Sequence, residues 1–505
     1  MLLSTLFVKR VSQLYCKCSH QTFKQLQQAA RILPIQARTF ITREISAIPE
    51  INNEKSEIFE KMKQWEKVLD QYSVLPTTLT DITELYKKLD SQLNESTQQD
   101  NALFIDQSNI VSPKDLTLKT MKDSYCELWL PFTDVPALYE EYVDFAGFTR
   151  IGKILQDLDR LAGAVAYKHT SDQHGNISNI TIVTAAVDRI DIIGSLECNV
   201  NYKASGVVSY VGFSSMEISL KLEKALASVD DSSPNEKIKY TPVMFARFTM
   251  VARNKDTGKA IQINPLRLES HDEKKLFKIT EEIKREKTLL SKKDLVKNPP
   301  NQEESRIMHN LWIEAKKYQD NKYNASFISK DFVWLDSTKM NSVHVCFPQE
   351  RNIHNKVFGG FLMRMGHELA YANACMFSGT IPESKSLDDF SFTKPVNIGS
   401  ILRLTSQVVY SSRFVDSSSK LLSSTEKGEL TESHVNSFQV AVIADVLNPK
   451  TESIEHTNTF HFSFATNKPI KRVIPRTYED MVKYIEGRRR NKIGNFISNL
   501  HKNNT

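Results

Sequence analysis

The chain is poor in cysteine, and it has no long apolar run. Its six cysteines are spread over 505 residues, and no two have the Cys-x-x-Cys spacing. This scarcity excludes a disulfide framework and gives no zinc-binding pattern, and it fits a reducing compartment. No segment approaches the ~20 consecutive apolar residues of a membrane-spanning helix. We therefore predict a protein with no integral membrane segment and no bound metal.

Acidic residues are absent from residues 1–43, which carry seven of the 66 lysines and arginines. The rest of the chain holds 59 basic and 60 acidic residues. The net charge of +6 therefore belongs to this leader, and the body has no basic footprint for nucleic acid. A basic leader rich in Ser, Thr and Gln is typical of a mitochondrial presequence, and a disordered basic tail is the alternative. We predict import into mitochondria, with the matrix as the destination.

Changes in composition along the chain predict six regions. The segment after the leader is polar with helical patches, and a later charge-dense segment ends near a Pro-Pro pair, which indicates a solvated helix followed by a linker. The predicted regions are a presequence (1–43), a helical accessory arm (44–115), a first globular domain (116–270), a charged helical linker (271–325), a second globular domain (326–470) and a basic C-terminal tail (471–505).

The two globular domains show the same succession of patterns, as expected of an internal repeat. Each begins with a predicted helix: residues 151–165 carry an apolar stripe, and the second stripe consists of Met365, Leu369, Ala372 and Met376. Strands with period-two alternation follow, for example at 216–222, 244–250, 402–410 and 460–464. A helix with a wide apolar stripe needs a sheet to cover it. We therefore predict an α+β protein in which antiparallel strands wrap one long helix per copy.

A glycine pair opens the second helix. The segment NIHNKVFGGFLMRM places Asn352 seven residues before Gly359, and Gly360 follows. Glycine is entropically costly in a helix, so the pair suggests that something approaches the backbone there. The segment resembles the N-x-x-x-x-x-F-G-G start of the central helix in hotdog acyl-CoA thioesterases. The further segments MKDSYCELWLP, RIGKILQDLDRL, VGFSSMEI, FTKPVNIGSIL and IPRTYEDM extend the similarity to mitochondrial thioesterases with two hotdog domains, over residues 116–480.

This resemblance implies two tandem hotdog domains packed as a double hotdog. It also implies hydrolysis of fatty acyl-CoA to free fatty acid and coenzyme A, with no cofactor and no metal. The expected assembly is a homo-oligomer, a trimer of tandem hotdogs. The alternative function is a catalytically weak acyl-CoA-binding or scaffold protein, because a fold alone does not fix function.

The resemblance also implies the catalytic residues. In the family the thioester carbonyl lies near the backbone N–H groups of the glycine turn, here Gly359 and Gly360, where the helix end favours negative charge. Asn352 matches the asparagine that orients the thioester or the attacking water. The family's acidic position falls on His367 in the second copy and on Asp159 in the first. We therefore predict one composite site that combines Asp159 with Asn352.

Several assignments keep an alternative. Asp159 acts either as general base for water or as a nucleophile. Glu368 is the substitute acid if Asp159 is not used, although a buried pair with His367 is the plainer interpretation. Asp157 is interpreted as a surface residue or salt-bridge partner. Ser214 and Ser215 match the strand along the pantetheine arm of the substrate, or they belong to an ordinary strand.

Overall fold

The computed structural model describes residues 116–172, 179–226, 239–291, 295, 298–320, 332–352, 355–388, 390–412 and 436–502. The predicted presequence and accessory arm lie outside these residues. The described chain begins with β1 (Lys119–Thr120), α1 (Met121–Ser124), β2 (Cys126–Leu130), α2 (Pro136–Tyr142), α3 (Ile151–Thr170), β3 (Ile180–Val187), β4 (Ile190–Ile192), β5 (Tyr202–Val211), β6 (Ser215–Leu226), β7 (Lys239–Asn254) and β8 (Leu266–Arg267).

Two helices, α4 (His271–Ser291) and α5 (Gln302–Asp320), precede the second copy of the repeat. The second copy and the C-terminal segment consist of β9 (Phe332–Trp334), β10 (Met340–Val345), α6 (Gly359–Ser378), β11 (Glu383–Leu387), β12 (Phe390–Ser391), β13 (Ile401–Ser412), β14 (Asn436–Asn448), β15 (Ser453–Thr466), β16 (Arg472–Ile474) and α7 (Tyr478–Lys502). Single 3-10 turns occupy Leu335–Thr338 and Pro348–Glu350.

Within the described residues, twelve strands form one antiparallel sheet, which is continuous through both copies. Its main path runs β10-β13-β14-β15-β11-β4-β7-β6-β5-β2, and β3 and β12 pair with each other beside it. The copies join where Leu387 of β11 pairs with Ile190 of β4, and where Phe390 of β12 pairs with Val187 of β3. The α+β class with a large antiparallel sheet is thereby confirmed.

The strand positions predicted to alternate are the ones that fill the core. They are buried in both copies: Met216, Ile218, Leu220, Leu222, Met244, Ala246, Phe248 and Met250 in the first, and Leu402, Leu404, Val408, Tyr410, Phe460, Phe462 and Phe464 in the second. Each helix packs on the strands of its own copy, α3 on β5, β6 and β7 and α6 on β13, β14 and β15. Helices α3 and α6 also contact each other.

The predicted stripe of α3 is buried, whereas the predicted stripe of α6 is correct only in part: Met365 and Leu369 pack against the core, and Ala372 and Met376 are exposed. Met376 is 76% exposed, and Met365, Leu369 and Ala372 are also partly or fully exposed. The positions of α6 that pack inward are Leu362, Met363, Gly366, Ala370 and Ala374. The error has a physical origin: apolar residues occupy more than one face of this helix, so the spacing of Met365, Leu369, Ala372 and Met376 does not mark the face that is most deeply buried.

The charged segment between the copies docks on the C-terminal helix. Arg489 of α7 donates two hydrogen bonds to Glu304 of α5, at 2.6 and 2.7 Å, which is the bidentate geometry of a strong arginine–carboxylate pair. Arg488 donates to the neighbouring Glu303 at 3.2 Å. The basic residues of the segment predicted as a tail are thus partners of the acidic residues of α5.

Candidate active site

The two central helices approach each other closely at Gly152 and Gly360. A Cβ on Gly360 would lie 2.9 Å from Gln156 Cα of α3, and one on Gly152 would lie 3.2 Å from Arg364 Cγ of α6. Gly360 therefore has a packing reason as well as the predicted substrate-access reason. Gly359 lines a cavity, where an added Cβ would lie 3.1 Å from a carboxylate oxygen of Asp159.

This helix contact brings Asp159 to the first turn of α6. The Asp159 side chain is buried, and its Oδ2 accepts a hydrogen bond from the Gly360 N–H at 2.6 Å. Its Oδ1 accepts a hydrogen bond from the Thr184 hydroxyl at 2.9 Å. The positive end of the α6 dipole favours a carboxylate at this place. Two donors thus fix both oxygens of a side chain that belongs to the other copy of the repeat.

Burial raises the pKa of Asp159 to about 6, while the hydrogen bonds from Thr184 and Gly360 and the nearby Arg160 charge oppose the rise. A general base works best when its pKa lies near the working pH. The carboxyl is therefore ionised at neutral pH and basic enough to take a proton from water.

Asn352 is held in a tight turn just before α6. Its backbone N–H donates to the Lys356 carbonyl at 2.7 Å, and its Oδ1 accepts from the Lys356 N–H at 3.1 Å. Asn355 completes the turn with a positive φ of 56°, a conformation that asparagine tolerates better than most residues. Asn352 and Asp159 line the same cavity of about 270 Å³. The structure thus brings the two predicted catalytic residues together from different copies.

The cavity has an apolar wall and a cationic rim. Its lining also includes Tyr167, Ile182, Met250, Leu362, Phe392 and Val396, and the cations Arg253, Lys356 and Lys394. Lys356 donates to Asn397 Oδ1 at 2.7 Å, and Lys394 pairs with Glu455 at 2.6 Å. Such a cleft can hold an apolar chain along its apolar wall and an anionic group beside its cations.

Other predicted residues lie elsewhere. Glu368 is half-buried and accepts from Arg150 at 2.6 Å and from Arg364 at 3.2 Å, so it is no buried partner of His367 and lines a different cleft. His367 is buried and hydrogen-bonded to Ser384 at 3.2 Å.

Asp157 and the serine pair also need comment. Asp157 is buried, which contradicts a surface position; it pairs with Arg160 at 2.7 Å and accepts from the Tyr142 hydroxyl. The salt-bridge interpretation of Asp157 is correct. Ser215 accepts from Lys284 at 3.3 Å, and neither Ser214 nor Ser215 lines the Asp159 cavity.

Sequence reasoning missed Thr184 and the three rim cations. Thr184 lies on β3 in the segment ITIVTAAV, and nothing in that segment indicates a partner on α3. A finer comparison of the repeats could have found it, because Ser384 makes the corresponding bond to His367. The rim cations come from three separate segments that only the folded sheet brings together.

No helix among the described residues is long and apolar enough to cross a membrane. In the same residues, no three His, Cys, Asp or Glu side chains are grouped as a metal ion would require.

A buried carboxylate at a helix start, opposite an asparagine in a cleft that fits an apolar chain, defines a candidate acyl hydrolase. No family model matches the chain. It is 33% identical over 429 residues to the mitochondrial acyl-coenzyme A thioesterase 9 of Bos taurus, which covers 83% of this chain and 91% of that one. It is 34% identical over 379 residues to the Homo sapiens protein of the same name (75% and 79% covered).

A plant relative is more distant: the chloroplastic acyl-coenzyme A thioesterase 2 of Humulus lupulus is 30% identical over 383 residues (74% and 81% covered). Among solved structures, an acyl-CoA hydrolase from Staphylococcus aureus in complex with butyryl coenzyme A, coenzyme A and coenzyme A disulfide is 22% identical, with a TM-score of 0.28, and covers 36% of this chain and 96% of its own. The chain belongs to the acyl-coenzyme A thioesterase family of thioester hydrolases, and the names of its animal relatives confirm the prediction of a mitochondrial protein.

Proposed function

We propose that the chain hydrolyses fatty acyl-CoA to free fatty acid and coenzyme A at one composite site built from both copies of the repeat. The observation that carries this proposal is the 2.6 Å hydrogen bond from the Gly360 N–H to Asp159 Oδ2. It puts the acid of the first copy at the helix start of the second, in one cavity with Asn352.

In the proposed reaction the acyl chain lies along the apolar wall and the thioester carbonyl points to the start of α6. Asp159 takes a proton from a water molecule, whose oxygen attacks the carbonyl carbon. The C–S bond then breaks, and the thiolate of coenzyme A takes up the proton. The same position also permits direct attack by the carboxylate on the carbonyl carbon, which breaks the C–S bond, expels the thiolate of coenzyme A and forms an anhydride. A water molecule then opens the anhydride to the fatty acid and Asp159, and the proton that is released goes to the thiolate. Asn352 holds the water or the thioester in place.

The helix start supplies the electrostatic part of the proposal. Negative charge on the former carbonyl oxygen is stabilised by backbone N–H groups of Gly359 and Gly360 and by the helix dipole. In the structure the Gly360 N–H is bonded to Asp159. Protonation of Asp159 weakens that bond, so the same amide becomes available to the oxyanion at the moment when the charge develops.

The coenzyme A part of the substrate fits the cationic rim. Arg253, Lys356 and Lys394 line the cavity and are exposed to solvent, and the substrate carries phosphate groups that such side chains bind. We therefore assign the rim to phosphate recognition.

A catalytically weak acyl-CoA-binding or scaffold protein is the competing function. The raised pKa of Asp159 favours the enzyme, because burying a carboxyl group costs stability that pure binding does not require. Release of coenzyme A measured with a thiol reagent decides between the two. A purified chain that binds acyl-CoA but releases no thiol above background would be a binder.

The architecture of the proposal is a double hotdog. Its support is one long helix per copy, each on its own antiparallel strands, with the copies joined through β4 and β11. We further propose that residues 1–43 direct import into the matrix and that the chain assembles as a trimer. A reporter fused to residues 1–43 should reach the matrix, whereas one fused to residues 44–86 should stay in the cytosol. Light scattering should give three times the mass of one chain.

The composite site is tested by dividing the chain. Residues 116–270 and 306–480, produced separately, should each release no thiol from acyl-CoA, and co-expression should restore hydrolysis. In the restored pair, either Asp159→Asn or Asn352→Ala alone should abolish it. Hydrolysis by residues 306–480 alone at nearly the rate of the whole chain would show that the composite site is wrong.

A further inference from the structure

The structure has a second cleft that repeats the frame of the first. In the first cleft, Asn352 N–H donates to the Lys356 carbonyl at 2.7 Å and Val357 N–H to the Val396 carbonyl at 2.9 Å. In the second, Asp144 N–H donates to the Phe148 carbonyl and Thr149 N–H to the Leu196 carbonyl, at the same two distances. The second cleft encloses about 610 Å³ and lies where α6 meets the start of α3.

Its reactive positions carry different groups. His367 and Ser384 occupy the places of Asp159 and Thr184 and are bonded to each other at 3.2 Å. Burial lowers the pKa of His367 to about 4, so this side chain is neutral at physiological pH and a weak base. Asp144 takes the place of Asn352, and its Oδ1 accepts the backbone N–H groups of Ala146 and Phe148 at 2.8 and 2.9 Å.

Two cations of the first cleft have uncharged residues at the corresponding positions of the second cleft. Phe148 stands where the first cleft has Lys356, and Gly194 where it has Lys394. The charged residues of the described lining are three acids, Asp144, Glu368 and Glu383, and one base, Arg150. That base is already paired with Glu368 at 2.6 Å. Glu368 is also bonded to Arg364 at 3.2 Å, and Glu383 pairs with Lys385 at 2.6 Å. Asp144 instead accepts backbone N–H groups, so it is the acid of the lining whose charge favours a cationic head.

Aromatic rings line the same cleft as Asp144. Phe145 is 76% exposed and Phe148 is 49% exposed, although both line the cleft. The rings of Phe145 and Tyr371 lie 6.2 Å apart, centroid to centroid. Aromatic faces together with a carboxylate are the groups that bind quaternary ammonium ions, by cation–π attraction and charge.

We infer that the second cleft binds an acyl amphiphile with a quaternary ammonium head, its chain in the cavity and its head between Asp144 and the rings of Phe145, Phe148 and Tyr371. The volume suits a small molecule, since ligand sites commonly enclose about 300–1,000 Å³. The preference for a cationic head is the reverse of the one assigned to the Asp159 cleft.

The test compares ten-carbon probes that differ in the head group. Isothermal titration of the full chain with decyltrimethylammonium, decanoate and decyl sulfate, all below their micelle concentrations, should show the cation binding about tenfold or more tightly than either anion. The double variant Asp144→Asn, Phe148→Lys copies the first cleft and should lose that preference. Tyr478→Lys, at an aromatic position on α7 that is 67% exposed against 49% for Phe148, should bind like the unmodified chain.

Three results would overturn the inference: no binding of the cation, binding of decanoate equal to or tighter than that of the cation at the site that the double variant alters, or unchanged cation binding in the double variant. Decanoate that binds the unmodified chain and the double variant equally is assigned to the Asp159 cleft, whose rim carries cations. Thermal melting checks that the double variant is folded. If it is not, Phe148→Lys alone decides, because that side chain is half exposed and its replacement disturbs little packing. The readout is binding and not hydrolysis, so failure here leaves the composite site standing.

Discussion

The two clefts of this protein share one backbone frame and differ in what lines them. One has Asp159 bonded to Thr184 and a rim of cations; the other has His367 bonded to Ser384 and a rim of aromatic rings and acids. The comparison teaches that the frame does not fix the chemistry. A single acidic position and three or four rim residues separate the cleft for which we propose hydrolysis from the one for which we propose binding.

The largest expected difference comes from the acid. Asp159→Asn should lower kcat for acyl-CoA hydrolysis by about 10²–10⁴-fold, the usual contribution of a general base, and leave the fold intact. Asp134→Asn, an exposed aspartate, is the control and should keep the parent rate. Asp157 cannot serve as the control, because it is buried and bonded to Tyr142 and Arg160. A loss below about tenfold would shift the chemistry away from Asp159.

The same substitution should change how stability depends on pH. The pKa of Asp159 is about 6 when folded and 3.8 in an unfolded chain, so the folded state binds more protons between these values. The free energy of unfolding should therefore fall as pH rises from about 4 to 6, by up to about 3 kcal/mol from this group. Asp159→Asn removes that fall. Urea titrations should show that the free energy of unfolding of the variant, relative to that of the parent, is higher at pH 7 than at pH 4. The same difference at both pH values would contradict the raised pKa.

The glycines of the two helices should respond unequally. Gly360→Ala places its Cβ 2.9 Å from the Gln156 backbone and should cost about 1–3 kcal/mol of unfolding free energy through overpacking. Gly152→Ala meets its nearest atoms only at 3.2 Å and should cost less. Urea denaturation of both variants measures the difference. Equal losses would contradict the structure, in which the contact at Gly360 is tighter than the contact at Gly152.

The two hydroxyl partners should differ in the pH profile of the rate. Thr184→Val removes a hydrogen bond that favours the ionised Asp159, so the acidic midpoint of kcat/KM should rise from about 6 by about one pH unit. Ser384→Ala lies in the other cleft and should leave the midpoint unchanged. If the midpoint does not move in Thr184→Val, the Thr184 hydroxyl does not influence the pKa of Asp159.

The smallest expected effect belongs to Glu368. Because it lies in the second cleft and pairs with Arg150 and Arg364, Glu368→Gln should change kcat by less than about threefold, within the ~1 kcal/mol typical of exposed ion pairs. Steady-state rates with one acyl-CoA test this. A loss as large as that of Asp159→Asn would restore Glu368 as the acid.

The sequence predicted the repeat, the helix-plus-strand order and the residues of the buried strand faces, because period-two patterns depend on local geometry alone. It also paired Asp159 with Asn352, but only through the resemblance to a known family. The stripe of α6 was correct only in part because apolar residues occupy more than one face of that helix, and periodicity does not mark the face that is most deeply buried. Thr184 and the rim cations were missed because their role depends on contacts between distant strands.

The continuous sheet has a consequence for how such a chain can change over generations. In a pair of identical subunits, any replacement at the acid position would appear in both clefts at once and end hydrolysis altogether. Here β4 and β11 join two unequal copies in one polypeptide, so His367 can stand in one cleft while Asp159 serves the other. Fusion thus lets the residues of one cleft change while those of the other stay as they are.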